Sequence, residues 1–402
     1  MAASIDEPLL TLGFAALLIV SMLARSMLAR VRVPGIVGFL LIGVGVRAAT
    51  GGEQGLPEGA AVLMNVLGQL GVIALLFRAG LETNLSELLK QAPTVAPIWI
   101  ANVVVVGSAS YATGWYLGMG MIPSLIVAVA LTATSVGISV AVWEQRGKAN
   151  TRAGRVFLGV AGLDDISAVA LMAILFAVAP ELRDGGEVVG IEVVLRFGWT
   201  LLKITLFSSG CYLFSRFLEH RLRKGVYALE NPAAGLLTIV SISIVIASIA
   251  GLMGFSVAIG AFFAGLAFSR DPEAVRQETA FDLVHDLFVP FFFIGIGLSI
   301  NLSVALGATG LGLALLIPAV IGKLLANGLP AWRTVGGVSA LAIGVSMVPR
   351  AEITMVIMER ARELGPWAAD ERSYAAVTVV SLMTALVAPV VLQRLVQNVP
   401  DQ

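Results

Sequence analysis

The sequence predicts an all-α polytopic membrane protein: about thirteen transmembrane helices, an inverted-topology repeat, and two broken helices that cross. Composition is the first observation behind this. The chain is 58% hydrophobic and only 13% charged, with a mean hydropathy of +0.92, whereas soluble domains carry about 25% charged residues. The second is the recurrence of apolar runs long enough to span a bilayer, which takes ~20 residues. The third is a set of short motifs that recur seven spans apart.

The spans fall at about 9–24, 35–49, 61–79, 94–114, 122–142, 156–178, 193–215, 233–250, 255–269, 285–299, 304–326, 336–358 and 373–393. Asp6 and Glu7 precede the first run and no basic residue does. That is not a signal peptide, so the first helix is expected to stay in the membrane. Basic residues concentrate in the odd-numbered loops: Arg25, Arg30 and Arg32, then Lys90, then Arg146, Lys148, Arg152 and Arg155, then Arg216, Arg221, Arg223 and Lys224, then Arg270 and Arg276. The even-numbered loops hold fewer, namely Arg47, Arg183, Arg360, Arg362 and Arg372. The basic loops face the cytoplasm, which sets the N-terminus outside and the C-terminus inside.

Formal net charge is zero and no basic tail exists, which argues against nucleic acid as a partner. The single cysteine, Cys211, cannot form an internal disulfide, and no Cys/His cluster has metal-ligand spacing. His220 and His285 are read as residues of polar loops.

The repeat shows in two motif pairs. Val37-Gly38-Phe39-Leu40-Leu41-Ile42-Gly43 in the second span matches Ile259-Gly260-Ala261-Phe262-Phe263-Ala264-Gly265 in the ninth. Gly80-Leu81-Glu82-Thr83-Asn84-Leu85-Ser86 at the end of the third matches Gly297-Leu298-Ser299-Ile300-Asn301-Leu302-Ser303 at the end of the tenth. An odd offset reverses the direction through the membrane, which makes the repeat inverted. Such transporters place paired broken helices near the midplane. The fifth span carries Thr132-Ala133-Thr134-Ser135-Val136-Gly137, and seven spans later comes Ser346-Met347-Val348-Pro349-Arg350-Ala351-Glu352. Proline removes a backbone donor and disfavours helix at the residue before it, so both stretches are expected to be unwound.

Asp164 and Asp165 lie near the middle of the apolar run from Val156 to Val178. A charge at that depth costs several kcal/mol, with estimates from ~3 to above 10. Neighbours on a helix point ~100° apart, so one carboxylate can face a cavity and the other an adjacent helix. A buried carboxylate can alternate between a proton and a cation; a structural pair capping a break is the plainer alternative. Lys323 is the second ionisable group within a span, and one of the aspartates is its natural partner. Snorkelling to the cytoplasmic surface is the rival reading. Arg350 and Glu352, beside the second break, are expected to neutralise helix-end dipoles without touching an ion. Arg78 is expected to snorkel or to pair with Glu82.

These residues resemble the cation:proton antiporter-2 family. The resemblance rests on Ala133-Thr134-Ser135-Val136-Gly137-Ile138, Asp164-Asp165, Gly322-Lys323-Leu324-Leu325 and Met347-Val348-Pro349-Arg350-Ala351-Glu352. Val33-Pro34-Gly35-Ile36-Val37-Gly38 and Leu76-Phe77-Arg78-Ala79-Gly80-Leu81-Glu82-Thr83 extend it over the whole chain. It is closest to bacterial electrogenic sodium/proton antiporters of the NapA type and implies the NhaA/NapA-like fold.

The resemblance also implies a homodimer in the bacterial inner membrane. The chain, 1–402, would be one transporter domain, with dimer-side scaffold helices at about 1–92 and 231–300, moving core helices at about 93–180 and 303–395, and a linker helix at about 191–217. Asp165 would be the principal cation and proton site. Asp164, also a ligand of the transported monovalent cation, would pair with Lys323 in the proton-loaded state. Thr134 and Ser135 would lie at the first broken helix. Two departures stand out: Ala351 replaces the family's glycine, and Arg78 stands where the family usually has an uncharged residue.

The implied activity is exchange of cytoplasmic sodium, or lithium, for external protons by alternating access, electrogenic when two protons move per sodium. No cofactor is expected. A potassium/proton antiporter of the same family is the nearest rival. The chain ends about nine residues after the last span with no Gly-x-Gly-x-x-Gly after a strand, which favours a self-contained antiporter over a nucleotide-gated efflux system. A sodium-coupled organic-anion symporter is a further rival. An intramembrane aspartyl protease fits poorly, because it needs two aspartates facing one water.

Overall fold

The structure, a computed structural model, describes residues 7–30, 34–50, 57–82, 85–183, 191–218, 232–253, 257–269, 278–300 and 302–400. Thr83, Asn84, His220, Asn301 and the loop residues Arg32, Arg221, Arg223, Lys224, Arg270 and Arg276 lie outside them.

The described residues are mostly helical and contain no strand. That follows from the solvent, since hydrocarbon offers nothing to an open backbone N–H or C=O. The helices are α1 Glu7–Arg30, α2 Gly35–Thr50, α3 Glu58–Glu82, α4 Leu85–Tyr116, α5 Met121–Thr132, α6 Val136–Gln145, α7 Arg152–Arg183 and α8 Ile191–Leu213. Then follow α9 Pro232–Leu252, α10 Val257–Phe268, α11 Glu278–Ser299, α12 Leu302–Ile317, α13 Leu329–Val335, α14 Gly337–Ser346, α15 Glu352–Leu364 and α16 Glu371–Val396. The predicted spans overlap these helices; the one at 304–326 runs from α12 into π-helical segments at Pro318–Gly322 and Leu324–Gly328. Among the described residues, eight helical stretches are long and apolar enough to cross a membrane, and four shorter apolar helices accompany them. The chain is a multi-pass membrane protein. Its outward side chains are apolar, as with Leu12, Met22 and Leu252, while Asn102, Lys323, Asn327 and Arg350 are fully buried.

By packing, the chain divides into two compact units: residues 1–69, 90–168 and 290–402, and residues 70–89 and 169–289. The first contains a close crossing of α2 with α11. A Cβ on Gly43 would meet the Ile294 carbonyl oxygen, and one on Gly297 would meet that of Leu40. The second contains a crossing of α3 with α10, where Gly80 faces the Phe262 carbonyl and Gly265 faces that of Phe77. In all four cases the obstructing carbonyl lies three residues before the partner glycine. These are the glycines of the two repeated motifs. Backbones in contact at small residues are how membrane helices associate, and here the same crossing occurs twice.

One sequence reading changes, and another gains a partner that it did not name. His285 sits inside α11 and not in a loop, because that helix begins at Glu278; its Nδ1 lies 3.3 Å from Asp286 Oδ1. Arg78 forms an ion pair with Asp282 at 2.8 Å, while the side chain of Glu82 is outside the described set. Phe77 packs on Phe281 with ring centroids 4.8 Å apart and so brings Asp282 beside Arg78. A partner on another helix is not visible in local spacing.

Candidate functional site

Both predicted breaks are present, and both lie in the first unit. α5 ends at Thr132, Ala133 is extended at φ −60° and ψ 146°, and α6 starts at Val136. Hydroxyl side chains compete for backbone groups there; Thr132 Oγ1 donates to the Val129 carbonyl at 2.7 Å. α14 ends at Ser346, and Pro349 keeps the chain open until α15 starts at Glu352. The two spans also begin alike. Gly120 and Gly336 precede α5 and α14 with φ of 80° in both and ψ of 170° and 177°, a region that glycine enters at little cost. Ala351, which precedes α15, has φ −151° and needs no such freedom.

The breaks bond to each other. The Ser135 N–H donates to the Pro349 carbonyl at 2.8 Å, Ser139 Oγ to the Ser346 carbonyl at 2.7 Å, and Thr354 Oγ1 to the Ala130 carbonyl at 2.9 Å. Carbonyls and amides left open at helix ends need partners, and each broken helix supplies some of the other's. Trp143 seals the crossing: its Nε1 donates to Ser346 Oγ at 2.8 Å, and its ring stacks on Phe157.

Charges complete the compensation. Lys323 Nζ donates to the Thr132 carbonyl at 2.6 Å and to Thr134 Oγ1 at 2.8 Å. Arg350 Nη1 donates to the Met347 carbonyl at 3.0 Å, and Thr134 Oγ1 lies 3.4 Å from it. Both cations therefore sit at the negative, C-terminal ends of half-helices. Glu352 opens α15 at a positive end and accepts the hydroxyl of Ser135. Each sign matches the local helix dipole.

Asp164 reaches this crossing from α7. It is 1% exposed; its Oδ2 lies 3.6 Å from Lys323 Nζ, and its Oδ1 accepts from Asn102 Nδ2 at 2.7 Å. Lys323 does not snorkel, since it has no exposed surface. It stands between two π-helical segments, Pro318–Gly322 and Leu324–Gly328, where Pro318 removes a helix N–H. Such π-bulges often mark functional sites. Asp165 is only partly buried.

Asp164, Lys323, Thr134 and Arg350 thus form one buried network, with Ser135 and Glu352 bonded beside it. Reading the sequence missed Asn102, Asn327, Ser139 and Trp143. An amide within the apolar stretch Ile98–Val106, and a second one turn after Lys323, were the available signals. Chemically the site is a carboxylate and a lysine able to exchange a proton, ringed by oxygen donors and closed off by helix ends.

Helices crossed at paired breaks are the architecture of a secondary transporter, and the buried Asp164–Lys323 pair gives this one groups that can exchange a proton. The sequence relationships make it a cation/proton antiporter. The chain belongs to the family described as sodium/hydrogen exchanger, transmembrane, whose profile matches residues 15–398. It is 31% identical over 340 residues to the high-affinity Na(+)/H(+) antiporter NhaS3 of Synechocystis, covering 81% of this chain and 70% of that protein. It is 29% identical to the Na(+)/H(+)-K(+) antiporter GerN of Bacillus cereus over 94% of each. In fold it is similar to the sodium proton antiporter MjNhaP1 of Methanocaldococcus jannaschii, with a TM-score of 0.70 at 14% identity over 98% of this chain and 99% of that one.

Proposed function

We propose that this chain exchanges cytoplasmic sodium for external protons and that the exchange is electrogenic. The observation that carries the proposal is the fully buried Asp164–Lys323 pair at the crossing of the two broken helices, with Asp165 next to it and more exposed. Asp165 binds the cation or a proton. Asp164 and Lys323 pair when protons are loaded, and the pair parts when sodium enters. Thr134 and Ser135 supply oxygens at the first break, while Arg350 and Glu352 hold the helix ends and touch no ion. Two protons then enter for each sodium expelled, moving one net charge inward, which is worth ~2.3 kcal/mol per 100 mV.

In this reading thirteen crossings set the N-terminus outside and the C-terminus in the cytoplasm of a bacterial inner membrane. Two chains pair through the scaffold helices, and the core helices move. The resemblance to NapA-type members and the charge pattern of the loops support this arrangement. No cofactor takes part. Potassium is the second candidate cation, because GerN, a relative over nearly the whole length, is a Na(+)/H(+)-K(+) antiporter.

The test is purified protein in liposomes with an internal pH dye. Sodium, lithium or potassium is added across a pH series with the membrane potential clamped at either sign. Sodium should elicit proton flux without any added solute, faster under the potential that favours inward charge. A rate indifferent to potential overturns the electrogenic claim. Normal exchange by Asp165→Asn overturns the site assignment.

A further inference from the structure

The amides of Asn102 and Asn327 are both buried, and the structure orders them in a chain. Asn327 Nδ2 donates to the Lys323 carbonyl at 3.0 Å and to Asn102 Oδ1 at 3.2 Å; Asn102 Nδ2 then donates to Asp164 Oδ1 at 2.7 Å. The direction of this chain has a fixed origin. A backbone carbonyl can only accept, so Asn327 must turn its NH2 group toward Lys323. With its oxygen occupied by Asn327, Asn102 must offer its own NH2 to Asp164. Flipping either amide would set oxygen against oxygen. The carbonyl that anchors the chain belongs to the lysine that pairs with Asp164, one turn away on the π-distorted stretch.

We propose that Asn102, oriented by Asn327, is a positioning residue of the exchange site, holding Oδ1 of Asp164 so that Oδ2 alone faces Lys323. The proposal rests on the reading of Asp164 and Lys323 given above. Asp164 Oδ2 has no hydrogen-bond donor within reach; Lys323 Nζ lies 3.6 Å from it, and Arg350 and Asp165 are the other charges that act on the pair. One oxygen is therefore tied to α4, while the other faces Lys323. A hydrogen bond to an ionised carboxylate is about twice as strong as one to a neutral group, so what Asn102 holds at Oδ1 bears on the charge that Oδ2 presents to Lys323. Lys323 and Asn327 share a carbonyl, so movement of the lysine backbone is felt at the carboxylate.

The experiment compares Asn102→Ala, Asn327→Leu and Asp164→Asn, with Asp164→Asn also combined with Asn102→Ala, in liposomes over a pH series. Asn102→Ala should move the pH profile of exchange by about one unit toward alkaline values, the size of one lost charge-assisted hydrogen bond. Maximal rate at high pH should be nearly kept. Asn327→Leu keeps the donor but frees its direction, so its shift should have the same sign and be smaller. On the Asp164→Asn background, Asn102→Ala should cause no further shift. Wild-type profiles for Asn102→Ala and Asn327→Leu, beside a disturbed Asp164→Asn, overturn the positioning role. If Asn102→Ala does not assemble, an unshifted Asn327→Leu overturns it alone. An undisturbed Asp164→Asn instead refutes the underlying reading of the site.

Discussion

Replacing Lys323 with methionine keeps an unbranched side chain and removes the charge. Asp164 is then left 1% exposed, with Asn102 as its one donor and Oδ2 facing no cation at 3.6 Å. The Thr132 carbonyl at the end of α5 also loses the donor now at 2.6 Å. Removing one member of a buried ion pair typically costs ~3–5 kcal/mol. Two donors of Arg350, Nε and Nη2, are buried without partners and can turn toward the stranded carboxylate, which places the expected loss near the lower end, ~3 kcal/mol. Neutralising the carboxylate as well, in Lys323→Met with Asp164→Asn, removes the lone charge and should recover most of that loss.

Denaturant titration in detergent, followed by tryptophan fluorescence, measures the loss and its recovery. A single variant as stable as wild type refutes the reasoning. So does a double variant less stable than the single one.

Gly265→Ala sets a Cβ against the Phe77 carbonyl and within 2.8 Å of the Leu81 nitrogen, both backbone atoms that cannot step aside. It should destabilise by ~1–3 kcal/mol, as overpacking does, whereas Gly45→Ala, with nothing within 4 Å, should be neutral or gain up to ~1 kcal/mol; thermal unfolding in detergent compares them, and equal melting temperatures would count against the crossing. Tyr374→Phe removes the hydroxyl that donates to Glu359 Oε2 at 2.7 Å and leaves the ring under Arg362. Because Glu359 is partly exposed, water can replace that donor, and the same unfolding assay should show a loss of only ~1 kcal/mol.

The class of this protein was written in its sequence. Apolar runs must be helices in hydrocarbon, so composition and run length sufficed for a helical, multi-pass chain. The breaks were legible because Pro349 and the hydroxyl cluster Thr132–Ser135 act on their own backbone. The double aspartate stood out because a charge in lipid is costly, and the sequence offered both a site and a structural pair as its reason. Partners were another matter. That Arg78 would meet Asp282, that Asn102 would reach Asp164, and that Gly43 would lie against Gly297 depend on helices distant in the chain. Amides such as Asn102 and Asn327 carry no charge to betray them; their importance arises only when packing strips away every alternative donor and acceptor. Sequence thus determined which residues were too costly to be in the membrane without cause. The tertiary structure decided which atoms meet them, because a hydrogen bond or an ion pair is a matter of ångströms that only the assembled helices can set.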